Sequence, residues 1–270
     1  EYTLNGRIPI LDWYMDESAP NVTHNTPEIY EQILSLLAQG RFAYYGVHVF
    51  QFMDAFARYD LSGRDVLIWG LAGCNCDAMA IWRKARKVYV VDYNRPRCDH
   101  PDVVVLTHDE LDESGLKFDV AISFSSFEHD GLGRYGDPLL PSGDLQAMQR
   151  ARKFMKTGGV MFFGVPLGRD ALVWNAHRIY GPERLPLILK GWLPLDAYSV
   201  YPGEDIFQEN LGTFHFQPLL ILRSWPEDEV PKKELLARLA KLGREAQPEQ
   251  GNTRSPKMMA RLLEMLLKAD

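Results

Sequence analysis

The residues of this chain that could do chemistry fall into three groups. Gly70 and Gly73 sit in a loop of small residues, and Asp92 follows about 20 residues later. Glycine permits positive φ and close approach of the backbone to a ligand. An acid at that distance, at the tip of a second strand, can accept both hydroxyls of a ribose. The second group is Glu128-His129-Asp130, followed by Asp137 in a glycine-rich run. An imidazole titrates near neutrality, which makes His129 the first candidate for a general base, with flanking carboxylates raising its pKa. Its competing role is to orient the loop. Asp130 and Asp137 could instead hold a divalent metal that polarises a diol, although carboxylates in such loops also form turns. The third group is His177, Arg178 and Tyr180. Arg178 could meet an anionic group, and Tyr180 or Trp174 could stack on a sugar face. An amphipathic helix with a snorkelling arginine accounts for the same residues.

These groups need positioning elements. Residues 65–69 and 87–92 read as strands around the loop and a helix from 77 to 86. Further strands are expected at 103–106, 118–124 and 159–165. They alternate with a short helical signal at 110–115 and a helix at 144–155. Residues 1–25 read as an irregular arm, and two helices, near 27–39 and 47–59, precede the first strand. Segments 174–180 and 182–189 are expected as short helices, and 195–201 and 216–223 as strands. Residues 232–246 and 256–268 are expected as amphipathic helices that cover the sheet or bind a partner. The expected class is α/β: a Rossmann-like, seven-stranded, mostly parallel sheet with helices on both faces. An N-terminal arm and helices (1–63) and a C-terminal helical extension (226–270) flank the α/β domain (64–225).

Composition narrows the partners. The net charge of −6 over 270 residues argues against a nucleic-acid backbone as ligand, and no apolar run is long enough for a membrane span. Cys74, Cys76 and Cys98 are an odd set, unlike a disulfide framework. Small buried residues near a ligand loop is the favoured role, with a zinc half-site as the alternative. The chain begins at Glu1, which suggests a processed or excised piece. A cytoplasmic location is favoured. The Asn21-Val22-Thr23 sequon leaves the secretory lumen as the alternative.

Three stretches carry a resemblance to a known superfamily: 65–92, 118–129 (Phe118-Asp119-Val120 running into Ser126-Phe127-Glu128-His129) and 154–163, with its Lys156-Thr157-Gly158-Gly159 turn. Together they resemble class I S-adenosylmethionine-dependent methyltransferases. The resemblance implies that Gly70, Gly73, Asp92, Asp109 and Ser125 bind S-adenosylmethionine, with S-adenosylhomocysteine as product and Asp109 near the adenine. It places His129, Asp130 and Asp137 at the reacting end and His177, Arg178 and Tyr180 at the acceptor. Departures from the superfamily pattern are Ile68, where an acid is usual, and Ala72, where a glycine is usual; Asp77 offers another carboxylate near the loop. A narrower resemblance, over 126–138, 164–168 and 174–181, is to a methyltransferase-like family of unknown function with nematode and bacterial members. Its members in bacterial polysaccharide gene sets imply a sugar or glycan hydroxyl as acceptor. Two other functions fit part of the pattern: a nicotinamide-dependent sugar-modifying enzyme using Asp92, and a non-catalytic module binding partners through its C-terminal helices.

Overall fold

The computed structural model describes residues 1–17, 22–41, 46–71, 76–201, 216–245, 248 and 250–269. Gly73 and Cys74 of the loop, and Asn21 of the sequon, lie outside the described residues. Seven strands, numbered in chain order, form the central sheet: β1 (Asp65–Trp69), β2 (Lys87–Val91), β3 (Val103–Leu106), β4 (Phe118–Phe124), β5 (Met155–Gly164), β6 (Trp192–Tyr198) and β7 (Leu219–Ser224). Their order is β6-β7-β5-β4-β1-β2-β3. The first five pair in parallel, and β7 runs antiparallel to both β5 and β6. Val66, Leu67 and Ile68 of β1 are fully buried, as expected of a central strand covered on both faces. The chain leaves β1 for β2 on one side and later reaches β4 on the other. Strand order therefore reverses at β1 and opens a crevice at its carboxyl end.

Helices α1 (Pro27–Ala38), α2 (Val49–Arg58), α3 (Cys76–Trp82), α4 (His108–Glu113), α5 (Gly143–Lys153), α6 (Leu185–Ile188), α7 (Lys232–Leu242) and α8 (Pro256–Lys268) accompany the sheet. Helix α4 starts two residues before the expected helical signal. Thr107 Oγ1 accepts from Glu110 N–H at 3.1 Å and Glu110 Oε2 accepts from Thr107 N–H at 2.7 Å, a capping box that fixes the first turn. Of the two C-terminal expectations, covering is what is seen: Met259, Leu262 and Leu263 of α8 are fully buried. Asp196 on β6 ties the extension down. It accepts from Arg254 Nε at 2.8 Å, Arg238 Nη2 at 3.3 Å and Tyr59 Oη at 2.6 Å. No helix among the described residues is long and apolar enough to cross a membrane.

The structure corrects two local expectations. Segment 174–180 is not a helix but part of a small second sheet, in which Ala171–Asn175 pairs antiparallel with His177–Ile179. The N-terminal arm is not wholly irregular either, since Ile10–Trp13 adds to that sheet parallel to Ala171–Asn175. The short apolar runs fit either period, so local periodicity cannot decide between them, and the partner of Ile10–Trp13 is remote in sequence. Strand β6 begins earlier than expected and carries a register shift between Pro194 and Asp196. An edge strand tolerates the missing N–H of proline there.

Candidate active site

The crevice at the reversal point is a cavity of about 490 Å³ at the carboxyl ends of β1, β2, β3 and β4. Trp69, Gly70 and Leu71 form its floor, Asp92, Tyr93 and Asn94 one wall, and Ser125, Ser126, His129 and Asp130 the opposite wall. Glu17 and Thr23 reach in from the N-terminal arm, and Tyr135 and Asp137 from the glycine-rich loop. Six of the residues singled out from sequence therefore meet here: Gly70, Asp92, Ser125, His129, Asp130 and Asp137.

Gly70 has φ +77°, and a Cβ there would lie 2.0 Å from Ser126 Oγ. Its lack of a side chain lets the end of β4 close onto the end of β1. Gly70→Ala is expected to cost about 1–3 kcal/mol from the positive φ alone, with a further steric loss from Ser126. Urea unfolding of Gly70→Ala, Ser126→Gly and the double variant would separate the two contributions. Strictly additive losses would rule out the steric part.

Asp92 is oriented by the backbone. Oδ2 accepts from Leu71 N–H at 2.8 Å and Oδ1 from Asn94 N–H at 2.8 Å. Each oxygen keeps a lone pair for a ligand hydroxyl. Tyr93, next in sequence, is 52% exposed. Its ring lies 4.8 Å from that of His108, which in turn lies 5.1 Å from Trp69. His108 lines the cavity where Asp109 was expected; Asp109 is exposed in the first turn of α4 and is not part of the lining.

Ser125 leaves β4 with φ +55°, a strained conformation for a non-glycine residue. The bend lets its Oγ donate to Glu128 Oε1 at 2.8 Å. Glu128 is fully buried, and burial pushes its carboxyl up to about 7. His129 Nδ1 lies 2.6 Å from the Ala176 carbonyl, an acceptor only, so Nδ1 carries the hydrogen and Nε2 keeps the lone pair. Glu128 Oε1 is 3.6 Å from Nε2. The expected rise in the His129 pKa is reversed. Burial first, and then the Arg134 guanidinium, push the imidazole down to about 3, so it is neutral at physiological pH.

Asp137 turns the glycine-rich loop. Its Oδ2 accepts from Gly131 N–H at 2.7 Å and Gly133 N–H at 3.2 Å, and Oδ1 from Tyr135 N–H at 3.3 Å. Those bonds commit Asp137 to forming the turn. Among the described residues no group of three or more His, Cys, Asp or Glu side chains is placed to share a metal ion. Asp77 is not part of the cavity lining. It is fully buried, and the Tyr30 hydroxyl donates to its Oδ2 at 2.5 Å, joining α1 to α3.

The expected acceptor residues are corrected. Arg178 and Tyr180 are almost wholly inaccessible and belong to a buried cluster around Asp144. Asp144 Oδ2 accepts from Tyr180 Oη at 2.9 Å and Arg184 Nε at 2.8 Å, and Oδ1 from Arg184 Nη2 at 2.5 Å. Arg178 Nε lies 3.7 Å from Asp144 Oδ2, and its Nη1 donates to the Asp130 carbonyl at 2.6 Å. The cluster thus fastens the wall carrying Asp130 to the start of α5. His177 is buried, its ring 6.5 Å from that of His129. The strand sends His177 and Arg178 to opposite faces, and both faces are covered, so neither side chain reaches solvent.

Sequence reasoning passed over Tyr93, His108, Tyr135 and Glu17. The Thr107-to-Glu110 capping pattern was a usable signal for His108. Glu17 had none. It is held by Arg134, whose Nε and Nη2 donate to its carboxylate at 3.1 and 3.2 Å.

The family model described as a Caenorhabditis protein of unknown function, DUF268, matches residues 72–212, just over half of the 270-residue chain. The chain belongs to the DUF268 family. The match spans β2 to β6 and includes every wall residue named above except those of β1 and the N-terminal arm. No curated protein sequence matches this DUF268 chain. Among solved structures it is similar to 1,6-didemethyltoxoflavin-N1-methyltransferase of Burkholderia thailandensis, crystallised with 1,6-didemethyltoxoflavin and S-adenosylhomocysteine. That pair shares 16% identity over 73% of this chain and 87% of the other, with a TM-score of 0.48. It is similar also to the N-methyltransferase NodS of Bradyrhizobium japonicum WM9 in complex with S-adenosylhomocysteine (14% identity, 75% and 100% covered, TM-score 0.45). A candidate hemolysin of Streptococcus thermophilus shares 12% identity, with 84% and 77% covered and a TM-score of 0.45. Identities and scores this low leave the activity to be read from the cleft itself.

Proposed function

We propose that this DUF268 chain is an S-adenosylmethionine-dependent O-methyltransferase acting on a hydroxyl of a sugar or glycan. The observation that carries the reading is the pairing, across one cleft, of Asp92 with a neutral His129. Asp92 has a lone pair open on each oxygen for the two ribose hydroxyls, and Tyr93 and His108 offer faces for the adenine. Asp92, Asp130 and Asp137 line the cleft with Glu17, whereas no lysine or arginine does so among the described residues. That charge suits a sulfonium and opposes a dinucleotide pyrophosphate, which counts against the nicotinamide alternative.

The bound cofactor supplies an electrophilic methyl group. The chain holds the acceptor hydroxyl in line with it, since placement within about 3–3.5 Å of the reacting carbon accounts for much of such catalysis. The hydroxyl donates its hydrogen bond to His129 Nε2, which takes the proton as the oxygen attacks. Glu128 stands beside Nε2 to balance the charge that forms.

Calorimetric titration with S-adenosylhomocysteine, S-adenosylmethionine and NAD tests the cofactor. Asp92→Ala leaves two hydroxyls without their acceptor, so binding should weaken by about 1–3 kcal/mol. An unchanged titration for Asp92→Ala removes Asp92 from the site. If neither sulfur compound binds, the non-catalytic reading replaces this one.

A further inference from the structure

The methyl-transfer reading leaves open which acceptors the cleft admits, and the following rests on that reading. We infer that the acceptor carries no phosphate or carboxylate, and that Asp130 holds it by accepting a hydrogen bond from a hydroxyl next to the one methylated. Asp130 is 6% exposed and lines the cleft, yet among the described residues its Oδ2 accepts no hydrogen bond. The neighbouring arginine makes no hydrogen bond to it: Arg178 Nη1 donates to the Asp130 main-chain carbonyl, and Arg178 Nη2 is unpartnered among the described residues as well. The other carboxylates of the wall are engaged: Asp137 by three backbone N–H groups, Asp92 by two, and Glu17 by Arg134. Asp130 is therefore a fixed, buried acceptor with an unmet bond, which a ligand hydroxyl would complete.

The charge of the wall sets what may accompany that hydroxyl. An anionic substituent would enter among carboxylates with no guanidinium or ammonium in the lining to meet it. Arg134 is committed to Glu17 and to the Ala176 carbonyl. Arg150 and Lys153 line a separate groove of about 420 Å³, which shares Trp69, Tyr93 and His108 with the first as a common wall. Burial raises the Asp130 carboxyl well above the usual range. In either protonation state it retains an oxygen that accepts from a hydroxyl. Rejection of anions in this way follows from burying their charge with no cation in the lining to meet it, rather than from size.

The test uses the full chain and methyl-labelled S-adenosylmethionine against matched acceptor sets. Neutral methyl glycosides and oligosaccharides are set beside the corresponding uronates and sugar phosphates. Label should pass to neutral members at a rate at least about a hundredfold above their anionic counterparts. Asp130→Asn, confirmed folded by its melting curve, should raise the KM of the best neutral acceptor at least about tenfold and leave S-adenosylhomocysteine affinity within about twofold. Preferential labelling of uronates or phosphates overturns the inference. So does labelling of no sugar by a chain that binds S-adenosylhomocysteine, and so does an Asp130→Asn variant that weakens the cofactor as much as the acceptor. Failure to bind S-adenosylhomocysteine at all instead removes the methyl-transfer reading beneath it.

Discussion

His129→Asn should lower turnover by about 10²-fold, toward the low end of the 10²–10⁴ typical of general bases. The low end is expected because burial and Arg134 leave the imidazole a weak base, pushed down to about 3. The fixed geometry acts in the opposite direction, with Nδ1 bound to Ala176 and Nε2 free to accept. Asparagine retains some hydrogen bonding, so affinity for S-adenosylhomocysteine should change little. The pH profile distinguishes this role from simple loop orientation. The imidazole is neutral from pH 5 upward, so its own protonation does not limit the rate there. Glu128, pushed up to about 7, is ionised only above that pH, and its anion stabilises the imidazolium formed during transfer. Turnover should therefore rise as pH passes through about 7, and Glu128→Gln should flatten that rise. Full turnover in His129→Asn, or an unchanged profile in Glu128→Gln, would remove the pair from the reaction. Abolition of turnover by chelators would favour a metal-assisted transfer instead.

Asp144→Asn should cost about 3–5 kcal/mol of stability, because it leaves buried guanidinium groups without a counter-charge. Arg184 meets Asp144 through two nitrogens, Arg178 approaches it at 3.7 Å, and Asp144 itself is fully buried. A domain of this kind is stable by only about 5–15 kcal/mol, so most of the margin could disappear. Urea unfolding followed by circular dichroism would read this as a lower midpoint with an unchanged slope. A loss below about 1 kcal/mol would mean that main-chain carbonyls, such as that of Pro141 to Arg184, suffice to hold the arginines.

The central sheet was legible in the sequence because its strands are nearly continuous runs of buried β-branched and aliphatic residues. β1, β3 and β4 fall on the expected residues, and the order reversal at β1 places the cleft where Asp92 and Gly70 predicted it. His129 and Asp130 were legible for the same reason, since they follow a recognisable strand. Two things were not. Protonation depends on what surrounds a side chain in space, and Arg134, not a carboxylate, governs His129 after burial. The side-chain direction of 177–180 depends on strand or helix, and 177–179 is a strand because it folds back antiparallel on Ala171–Asn175, which Ile10–Trp13 backs on its other edge from the far end of the chain. Arg178 and Tyr180 consequently turned inward to Asp144 rather than outward to an acceptor.

That long-range pairing has a kinetic meaning. Met15 N–H donates to Asn175 Oδ1 across 160 residues of chain, and the small sheet that this closes stands beside His129. Loop closure over such a separation carries a large entropic cost before any contact forms, so the outer wall should assemble after the central sheet. In native-state hydrogen exchange, amides of 10–13 and 171–179 should open together as one cooperative unit, well below the free energy at which β1 and β4 exchange. The chain would then pass through a state with its crevice formed and its outer wall undocked.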